Sequence, residues 1–442
     1  MIDVYVLDEN FEVVGIIDNY ESFIWTDRFS SYGDFELYTS FDPNVLDLCQ
    51  QNYYLHINQS VHTMIIEGIE ITTDSEEGIK IRVTGRSLEC LLERRIVWQQ
   101  TTISAGTKLE TAIQYLIEDA IIDPQPYSGT RSSKRRSAAQ KEISDGRKIL
   151  KNDGEPGFVF KQSEDPNNPG QVDPYIDGFL MEKTQYTGDV LSDALKSLLE
   201  STNNTVGYRI LLNDQLQFVF QLYSGVDRSY NQSNYVVSMD TQLITGKTYY
   251  ELIDNEYVVT QDTQRQKNKT YYEWRDILPY VIFSPGFDNI INTDYLDNIA
   301  EMKNVTLVAG SGEGSSRKTI IVGSETGLQR RELFTDARDL QASDYGSSYM
   351  QVLKNRGYNN LVENARVTSY DGQVDATRQF VFGVDFEMGD VIQMSNEYGI
   401  DGSARVVEWV ISESSNGIEI YPTFDAVQLI DDMETEEEEE NV

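Results

Sequence analysis

The chain has 442 residues, of which 73 are acidic and 36 are basic, and its formal net charge is −37. A prior of about 150 residues per domain predicts roughly three domains, and 39% hydrophobic residues is enough to build folded cores. A surface this negative repels phosphate backbones and anionic membranes, so we expect no sequence-specific nucleic acid and no membrane as a ligand.

The opening residues, "MIDVYVLDEN", carry two acids and no basic residue, so they do not predict a secretory signal. No apolar run reaches the ~18 residues of a membrane span. Cys49 and Cys90 each lie in an apolar stretch, and two cysteines form neither a disulfide framework nor a zinc site. We therefore predict two buried thiols in a protein made in the cytoplasm.

Residues 1–100 are short β-branched and aromatic runs separated by Asn, Asp, Gly and Ser, and they end in a short helix, "RSLECLLERRIV". This pattern predicts an antiparallel β domain. In "SFIWTDRFSSYGDFELY" (22–38), Trp25 and Phe35 fall on facing strands of one hairpin. Aromatic pairs across a hairpin stabilise a sheet, so we predict that both are core residues and not part of a sugar-binding strip.

Residues 101–230 predict an α/β unit. Apolar residues recur at helical spacing over 109–121, with Thr107 and Glu110 spaced as a capping box. A second helix is predicted in "GDVLSDALKSLLES", and the hairpin "YRILLNDQLQFVFQLY" follows it, turned by Asn213 and Asp214.

Between these two helices, residues 124–175 are rich in Pro, Gly, Ser and charge, which predicts a long surface loop or insertion. Its basic cluster "RSSKRR" (131–136) fits a solvated loop better than a contact with nucleic acid or an acidic neighbour. We expect residues 128–172 to be the least ordered part of the free protein, with proteolysis beginning at Lys134–Arg136.

Strand-like runs return over 231–335, a polar helix is predicted over about 336–356, and further β-rich runs continue to residue 430. Residues 431–442 contain acids and no base, which predicts a solvated acidic tail. No identical internal repeat stands out. The main large-scale feature is a pair of sheet-rich regions on either side of an α/β unit.

Residue patterns that carry chemistry are scarce. His56 and His62 are the two histidines, His56 lies in a strand-like run that favours a structural role, and neither HExxH nor GxSxG occurs. Glycines 310, 312 and 314 lie between strand-like runs and indicate a hairpin loop, not a phosphate-binding loop. "DPNNPG" (165–170) resembles half a calcium loop, but Pro169 and Ile176 stand at ligand positions.

We therefore predict no catalytic, metal-binding or cofactor-binding residue, no cofactor, and a protein that is not an enzyme. A carboxylate pair for glycoside hydrolysis stays open, because 73 acids offer many pairs.

Five stretches together carry a family resemblance. They resemble, in the same order, the signatures of siphovirus tail-tip or baseplate hub proteins from phages of Gram-positive bacteria. The stretches are "VGIIDNYESFIWTDRFSSYGDFELY" (14–38), "YSGVDRS" (223–229), "VIFSPGFDNI" (281–290), "KNVTLVAGSGEG" (303–314) and "FVFGVDFEMGDVIQM" (380–394). The basic insertion, the acidic tail and much of 230–278 lie outside this resemblance.

The resemblance implies an α+β, mainly β chain with two tube-like antiparallel β-barrel domains, an α/β accessory domain and a C-terminal β-rich domain. The implied divisions are a first tube-like domain (1–100), the α/β accessory domain (101–230) with its loop (124–175), a second tube-like domain (231–335), a helix with a β-rich domain (336–430) and the acidic tail (431–442).

The resemblance also implies a function. Such a protein is a structural, non-enzymatic virion component at the tail tip, made in the host cytoplasm. Its implied partners are two further copies of itself in a homotrimer, the distal tail protein, the tape-measure protein, and a tail fibre, receptor-binding protein or lysin. It closes the tube and lets tape-measure protein and DNA pass. The alternatives are a tail-associated peptidoglycan hydrolase and a receptor- or saccharide-binding tail module.

Overall fold

Strands make up most of the regular structure, as the β-branched and aromatic runs predict. The computed structural model describes residues 2–75, 78–124, 146–168, 170–238, 240, 242–253, 256–266, 269–314, 317–375 and 379–426. Its α-helices are α1 (Pro43–Leu48), α2 (Leu109–Ile117), α3 (Pro174–Asp177), α4 (Leu191–Leu199), α5 (Ala342–Tyr345) and α6 (Tyr349–Glu363). None of the helices in this part of the chain is long and apolar enough to span a membrane.

The strands run from the first residues to the end of the described chain. They are β1 (Val4–Leu7), β2 (Val13–Ile17), β3 (Ser22–Arg28), β4 (Asp34–Ser40), β5 (Tyr54–His56), β6 (Thr63–Asp74), β7 (Gly78–Ser87), β8 (Thr101–Ile103), β9 (Phe158–Lys161), β10 (Thr184–Tyr186), β11 (Val206–Leu212), β12 (Phe218–Ser224), β13 (Tyr235–Val237), β14 (Tyr250–Ile253), β15 (Glu256–Val259), β16 (Tyr272–Trp274), β17 (Ile282–Phe283), β18 (Ile290–Asn298), β19 (Val305–Ala309), β20 (Thr319–Val322), β21 (Glu332–Asp336), β22 (Val367–Val374), β23 (Val391–Ser395), β24 (Asp401–Ser414) and β25 (Gly417–Ala426).

An 11-stranded sheet joins the two ends of the chain. Its strand order is β17-β23-β24-β3-β4-β7-β6-β5-β1-β2, and β25 lies along the other edge of β24. The long strand β24 makes the connection, because its first residues pair with β23 and its last residues pair with β3. Strands from residues 1–100 and from residues 336–430 therefore lie in one sheet.

The expected closed, tube-like barrels are not formed within the described chain. Closing a barrel requires its first and last strands to pair, whereas this sheet runs from β17 to β2 and leaves both as end strands. The resemblance implied closure, but the pairing of β24 with β3 places strands of different predicted domains side by side. The division of the chain into domains stays a prediction.

The opening hairpin confirms the predicted core residues. Trp25 pairs directly with Phe35 across β3 and β4, and their rings stack with centroids 6.2 Å apart. Trp25 is 0% exposed and Phe35 is 2% exposed. Both belong to the core of the large sheet, which also contains Trp409 from β24. Phe23 and Phe29 of the same run are also buried, so the run contributes to the core and is not a sugar-binding strip.

The middle of the chain contains the two predicted helices and the predicted hairpin, here called the α/β unit. The helices α2 and α4 share one core with β11, β12 and the 3₁₀ helix Leu88–Arg94. The Asn213 side chain accepts hydrogen bonds from the backbone N–H groups of Gln215 and Gln217, which confirms the turn of the predicted hairpin. The short helix predicted at the end of residues 1–100 is the 3₁₀ helix Leu88–Arg94, and not an α-helix.

The predicted capping box on α2 is wrong. The helix begins after Lys108, and no side chain caps its first turn. Glu110 is buried and accepts a hydrogen bond from the backbone N–H of Ser163 at 2.5 Å. Glu110 therefore satisfies a segment that packs on the helix, and it does not reach back to the helix start.

Part of the predicted loop 124–175 is regular structure. Strand β9 pairs in parallel with β12, and Phe158 is buried in the core of the α/β unit. Helix α3 follows, capped by Asp173. The apolar run "FVF" overrides the surrounding Pro and Gly because its side chains can be buried. The basic cluster 131–136 and the acidic tail lie outside the described residues, and so does much of the rest of the predicted loop.

A third unit consists of β19, β20, β21 and α6, which share a small core. The glycine-rich segment connects β19 to its antiparallel partner β20, which confirms the predicted hairpin loop. The polar helix predicted over 336–356 begins later and ends later, as α6. Residue 336 still belongs to β21, which pairs with β19, so the chain becomes helical only beyond it.

Candidate functional site

Three of the quoted family stretches meet at one place, here called the signature junction: residues 27–29, 223–228 and 387–390. Phe29 lies at its centre and is 1% exposed. Its ring packs edge-on against Tyr223 at 5.1 Å, and its backbone N–H donates to the carbonyl of Val407. Tyr208 donates its backbone N–H to the carbonyl of Phe29. Phe29 therefore ties the large sheet to the α/β unit.

Two glycines let backbone segments touch at the signature junction. A Cβ on Gly225 would lie 1.9 Å from the carbonyl oxygen of Gly389, closer than any real contact. A Cβ on Gly389 would lie 2.4 Å from the Phe29 ring, and Gly389 has a φ of +91°. Only glycine tolerates both the close approach and this backbone conformation. Close packing of the backbone therefore requires the glycines of the "SGVD" and "EMGD" motifs.

A buried ion pair closes the signature junction. Asp390 accepts from the Nε of Arg228 at 2.8 Å and from the backbone N–H of Val226 at 2.8 Å. Burial raises the pKa of the Asp390 carboxyl, against the opposing effect of Arg228. The Asp390 side chain is 5% exposed. A charge pair with this little solvent holds its two segments in one register.

A buried polar cluster adjoins the signature junction. Asp27 accepts hydrogen bonds from the indole N–H of Trp25 at 2.9 Å and from the hydroxyl of Ser60 at 2.6 Å. His62 Nδ1 lies 3.6 Å from Glu89 Oε1. Asp27, His62 and Glu89 are all buried. A strand, a loop and a 3₁₀ helix, distant in sequence, thus meet through charged side chains.

Glu89 also connects the cluster to the α/β unit. It accepts the backbone N–H of Ile210 at 2.6 Å and the hydroxyl of Ser87. Ser87 in turn accepts the backbone N–H of Gly33 at 2.7 Å. Sequence reasoning missed this role of Glu89; the available signal was a carboxylate inside the apolar run "SLECLLE".

The cluster contains the residue types of a serine hydrolase but not their arrangement. A nucleophilic serine donates its proton to an imidazole, which a carboxylate orients. Here the hydroxyls of Ser60 and Ser87 donate to Asp27 and Glu89. His62 contacts Glu89, and among the described residues no hydroxyl donates to its ring. The arrangement supports a structural role that joins chain segments.

The buried histidine makes stability depend on pH. Burial opposes its charge, but Asp27 and Glu89 outweigh burial and the repulsion of Arg209, so the pKa of His62 is raised above 6.5. A raised pKa means that His62 stabilises the fold fully below its unfolded pKa of about 6.5 and loses this contribution as pH rises through the folded pKa.

We therefore expect His62→Gln to lower the melting temperature more at pH 6 than at pH 9. Differential scanning calorimetry of both proteins across this range is the measurement. Glu89 has its pKa lowered: burial opposes its ionisation, and His62 and the Ser87 hydrogen bond outweigh burial. Glu89 therefore stays ionised above about pH 4.5, and the change across this window comes from the proton of His62. A His62→Gln effect that is equal at both pH values would contradict the prediction.

The other candidate residues from the sequence lie in a strand or in the cores of the protein. His56 ends β5 and is half-buried. Cys49 and Cys90 are free and buried, as predicted, and burial raises the pKa of each thiol to about 12. Within the described ranges, no three His, Cys, Asp or Glu side chains converge as a metal site. That the protein has no catalytic or cofactor-binding residue stays a prediction.

Comparison with known proteins decides the family. The model of the family described as siphovirus ReqiPepy6 Gp37-like protein matches residues 3–424. The chain belongs to this family of siphovirus tail proteins. The match confirms the tail-protein resemblance, and it makes this tail protein a structural component of the phage tail. No curated protein matches the chain.

Solved structures are similar to this tail protein in fold. A tail protein from Neisseria meningitidis MC58 is 13% identical with a TM-score of 0.50, and the match covers 96% of both chains. A 43 kDa tail protein of prophage MuSo2 from Shewanella oneidensis is 12% identical, with a TM-score of 0.48 over 96% and 97% of the two chains. Prophage tail protein gp18 from Listeria monocytogenes is 11% identical, with a TM-score of 0.47 over 95% and 94%.

Proposed function

We propose that this tail protein is the hub of the tail tip. In this proposal it forms a homotrimer beneath the distal tail protein, closes the tube and mounts a tail fibre, receptor-binding protein or lysin. Tape-measure protein and DNA pass through it on infection. The family membership supports a structural tail role, and one feature of the large sheet supports assembly into a ring.

That feature is the edge strand β2. It pairs with β1 on one side, and it is an end strand of the large sheet. Val13, Val14 and Ile16 are 61%, 44% and 47% exposed, and the strand contains no charge. An apolar edge without charge or proline is a template for pairing with another chain. A closed ring uses such an edge without forming open filaments.

The open sheet supports the proposal that several chains build the tube together. Three copies that each contribute two sheet-rich regions would match a six-membered tail ring. The sheet is open within one chain, so its neighbours would complete the wall. The exposed face of β4, β6 and β7 carries charged side chains, including Glu36, Arg82 and Glu70. A lumen lined by such a face, in a chain of −37, would not retain DNA.

We expect a trimer whose population rises with salt. Three chains with a net charge of −37 each have a combined net charge of −111, and screening within about 10 Å at 0.1 M salt relieves their repulsion. Native mass spectrometry and light scattering across a salt series are the measurements. Val14→Lys places a charge on the β2 edge and is expected to abolish the trimer. Val61→Lys is the matched control, because Val61 is 67% exposed and lies outside every strand.

The same measurement tests the hub proposal in a second way. A trimer should form in solution or on the distal tail ring. A stable dimer or tetramer under all salt conditions, and on the assembled tail, would contradict it. Equal loss of assembly in both lysine variants would show that β2 is not the contact edge.

A further inference from the structure

The four-stranded sheet of residues 235–274, here called the repeat module, is built from an internal duplication. "YVVSMDTQLITGKTYYE" (235–251) and "YVVTQDTQRQKNKTYYE" (257–273) share 11 of 17 residues at a spacing of 22. The chain therefore contains an imperfect internal repeat, which the search for identical repeats missed. The strand order is β13-β16-β14-β15, so each copy places its second strand in the centre and its first strand at an edge. The two copies interleave with local twofold symmetry.

Ion pairs repeat the same symmetry. Lys247 contacts Asp240 of its own copy at 2.8 Å and Glu273 of the other copy at 2.7 Å. Lys269 makes the equivalent contacts in the second copy, at 2.9 Å with its own Asp262 and at 2.6 Å with Glu251. The duplicated residues thus hold the two copies together by reciprocal charge pairs.

The repeat module is attached to the rest of the protein by a short neck. The side-chain oxygen of Gln232 accepts the backbone N–H of Leu278 at 2.7 Å, which holds the entering and leaving chains side by side. Among the described residues, the strands of the module contact one another and no other element to a comparable extent. In the part of the chain that the structure describes, the cores of the large sheet, the α/β unit and the third unit contain no residue of the module.

One face of the module is aromatic and uncharged. Directly paired residues in antiparallel strands share a face, and the pairing places Tyr235, Tyr250, Tyr257, Tyr272 and Trp274 together. Tyr235 and Tyr257, equivalent in the two copies, stack at 4.0 Å, and each packs edge-on against a further tyrosine at 5.0 Å. Trp274 is 52% exposed. The four tyrosines are half-buried, so this cluster is only partly covered.

The hydroxyl and indole groups on this face have no hydrogen-bond partner among the described residues. Within the described part of the chain, the side chains of Tyr235, Tyr250, Tyr257, Tyr272 and Trp274 make no hydrogen bond. A purely apolar partner would cover these groups at a cost, because buried hydroxyls need partners. A hydroxyl-rich ligand would pair with them and cover the rings.

We propose that this aromatic face binds a neutral glycan built of repeating sugar units. The face carries no charge, while the chain carries −37, so a neutral ligand meets no repulsion and a polyanion does. The phenol and indole groups supply both an apolar surface and hydrogen bonds. Because of the duplication, each set of aromatic side chains occurs twice on this face. A glycan with repeating sugar units can contact both sets, and linked contacts raise the overall affinity.

The test is binding of the full-length protein to a printed array of neutral glycans, and to dextran, mannan and galactan in affinity gels. Heparin and lipoteichoic acid are the polyanionic comparisons. We expect saturable binding to a neutral glycan and none to the polyanions. Trp274→Ala, Tyr235→Phe and Tyr257→Phe should each weaken binding by about tenfold, the loss of one good contact. The phenylalanine variants keep the rings, so the module still folds.

Matched controls lie outside the module. Trp98→Ala and Tyr398→Phe remove an exposed indole and an exposed hydroxyl elsewhere, at 40% and 80% exposure, and should leave binding unchanged. Binding to no neutral glycan, or equal binding by wild type and Trp274→Ala with unchanged circular dichroism, would overturn the proposal. Self-association that Trp274→Ala abolishes, without glycan binding, would assign the face to a second protein chain. The experiment uses purified protein, so its failure leaves the hub proposal untouched.

Discussion

Trp25→Ala is expected to lower the free energy of unfolding by about 3–5 kcal/mol, the range for large buried aromatics. Trp25 is 0% exposed and stacks on Phe35. Its removal leaves a cavity in the core of the large sheet. It also removes the indole N–H that Asp27 accepts, so a buried carboxylate loses a donor.

Chemical denaturation followed by circular dichroism measures this loss. The control is Trp98→Ala, because Trp98 is 40% exposed and its removal leaves no comparable cavity. A midpoint for Trp25→Ala that matches the wild type would show that the large sheet does not depend on this side chain.

Glu89→Ala is expected to cost roughly 3–5 kcal/mol, as for breaking a buried charge pair. The change leaves His62 without one of its two carboxylate neighbours, and it leaves the N–H of Ile210 and the hydroxyl of Ser87 without their acceptor. The N–H of Ile210 and the hydroxyl proton of Ser87 are then buried without an acceptor. Since Ile210 lies in β11, the loss should loosen the α/β unit from the large sheet.

Two further variants separate the charge from the hydrogen bonds. Glu89→Gln keeps an acceptor for Ile210 but removes the negative charge beside His62, so an intermediate loss is expected. Glu301→Ala, at an exposed glutamate, should have little effect. Urea unfolding of all three, with limited proteolysis of the α/β unit, gives the comparison. Equal stability of Glu89→Ala and Glu301→Ala would refute a stabilising role for the cluster.

Local features of this protein followed from its sequence. Alternating apolar residues predicted the strands of the first hundred residues, and the inward positions of Trp25 and Phe35 followed from that alternation. Helical spacing predicted α2 and α4, and Asn213 predicted the turn between β11 and β12. Period and turn chemistry act over a few residues, so a single stretch is sufficient to reveal them.

Contacts between distant segments did not follow in this way. Thr26 of β3 pairs with Val410 of β24 across nearly the whole chain, and neither strand carries a local mark of its partner. The barrel expectation failed for this reason. The family stretches were visible in the sequence, but the contacts of Phe29, Gly225 and Gly389 at one point were not.

The same difference between local features and contacts of distant segments applies to the buried charges and to the repeat. His62 and Glu89 are unremarkable in the sequence, and only the fold brings them within 3.6 Å and removes water from both. The duplication of residues 235–273 can be recognised from the sequence, but the interleaved order of its strands cannot be predicted from it. Strand order depends on which faces bury apolar surface and which charges meet, and these are properties of the assembled structure.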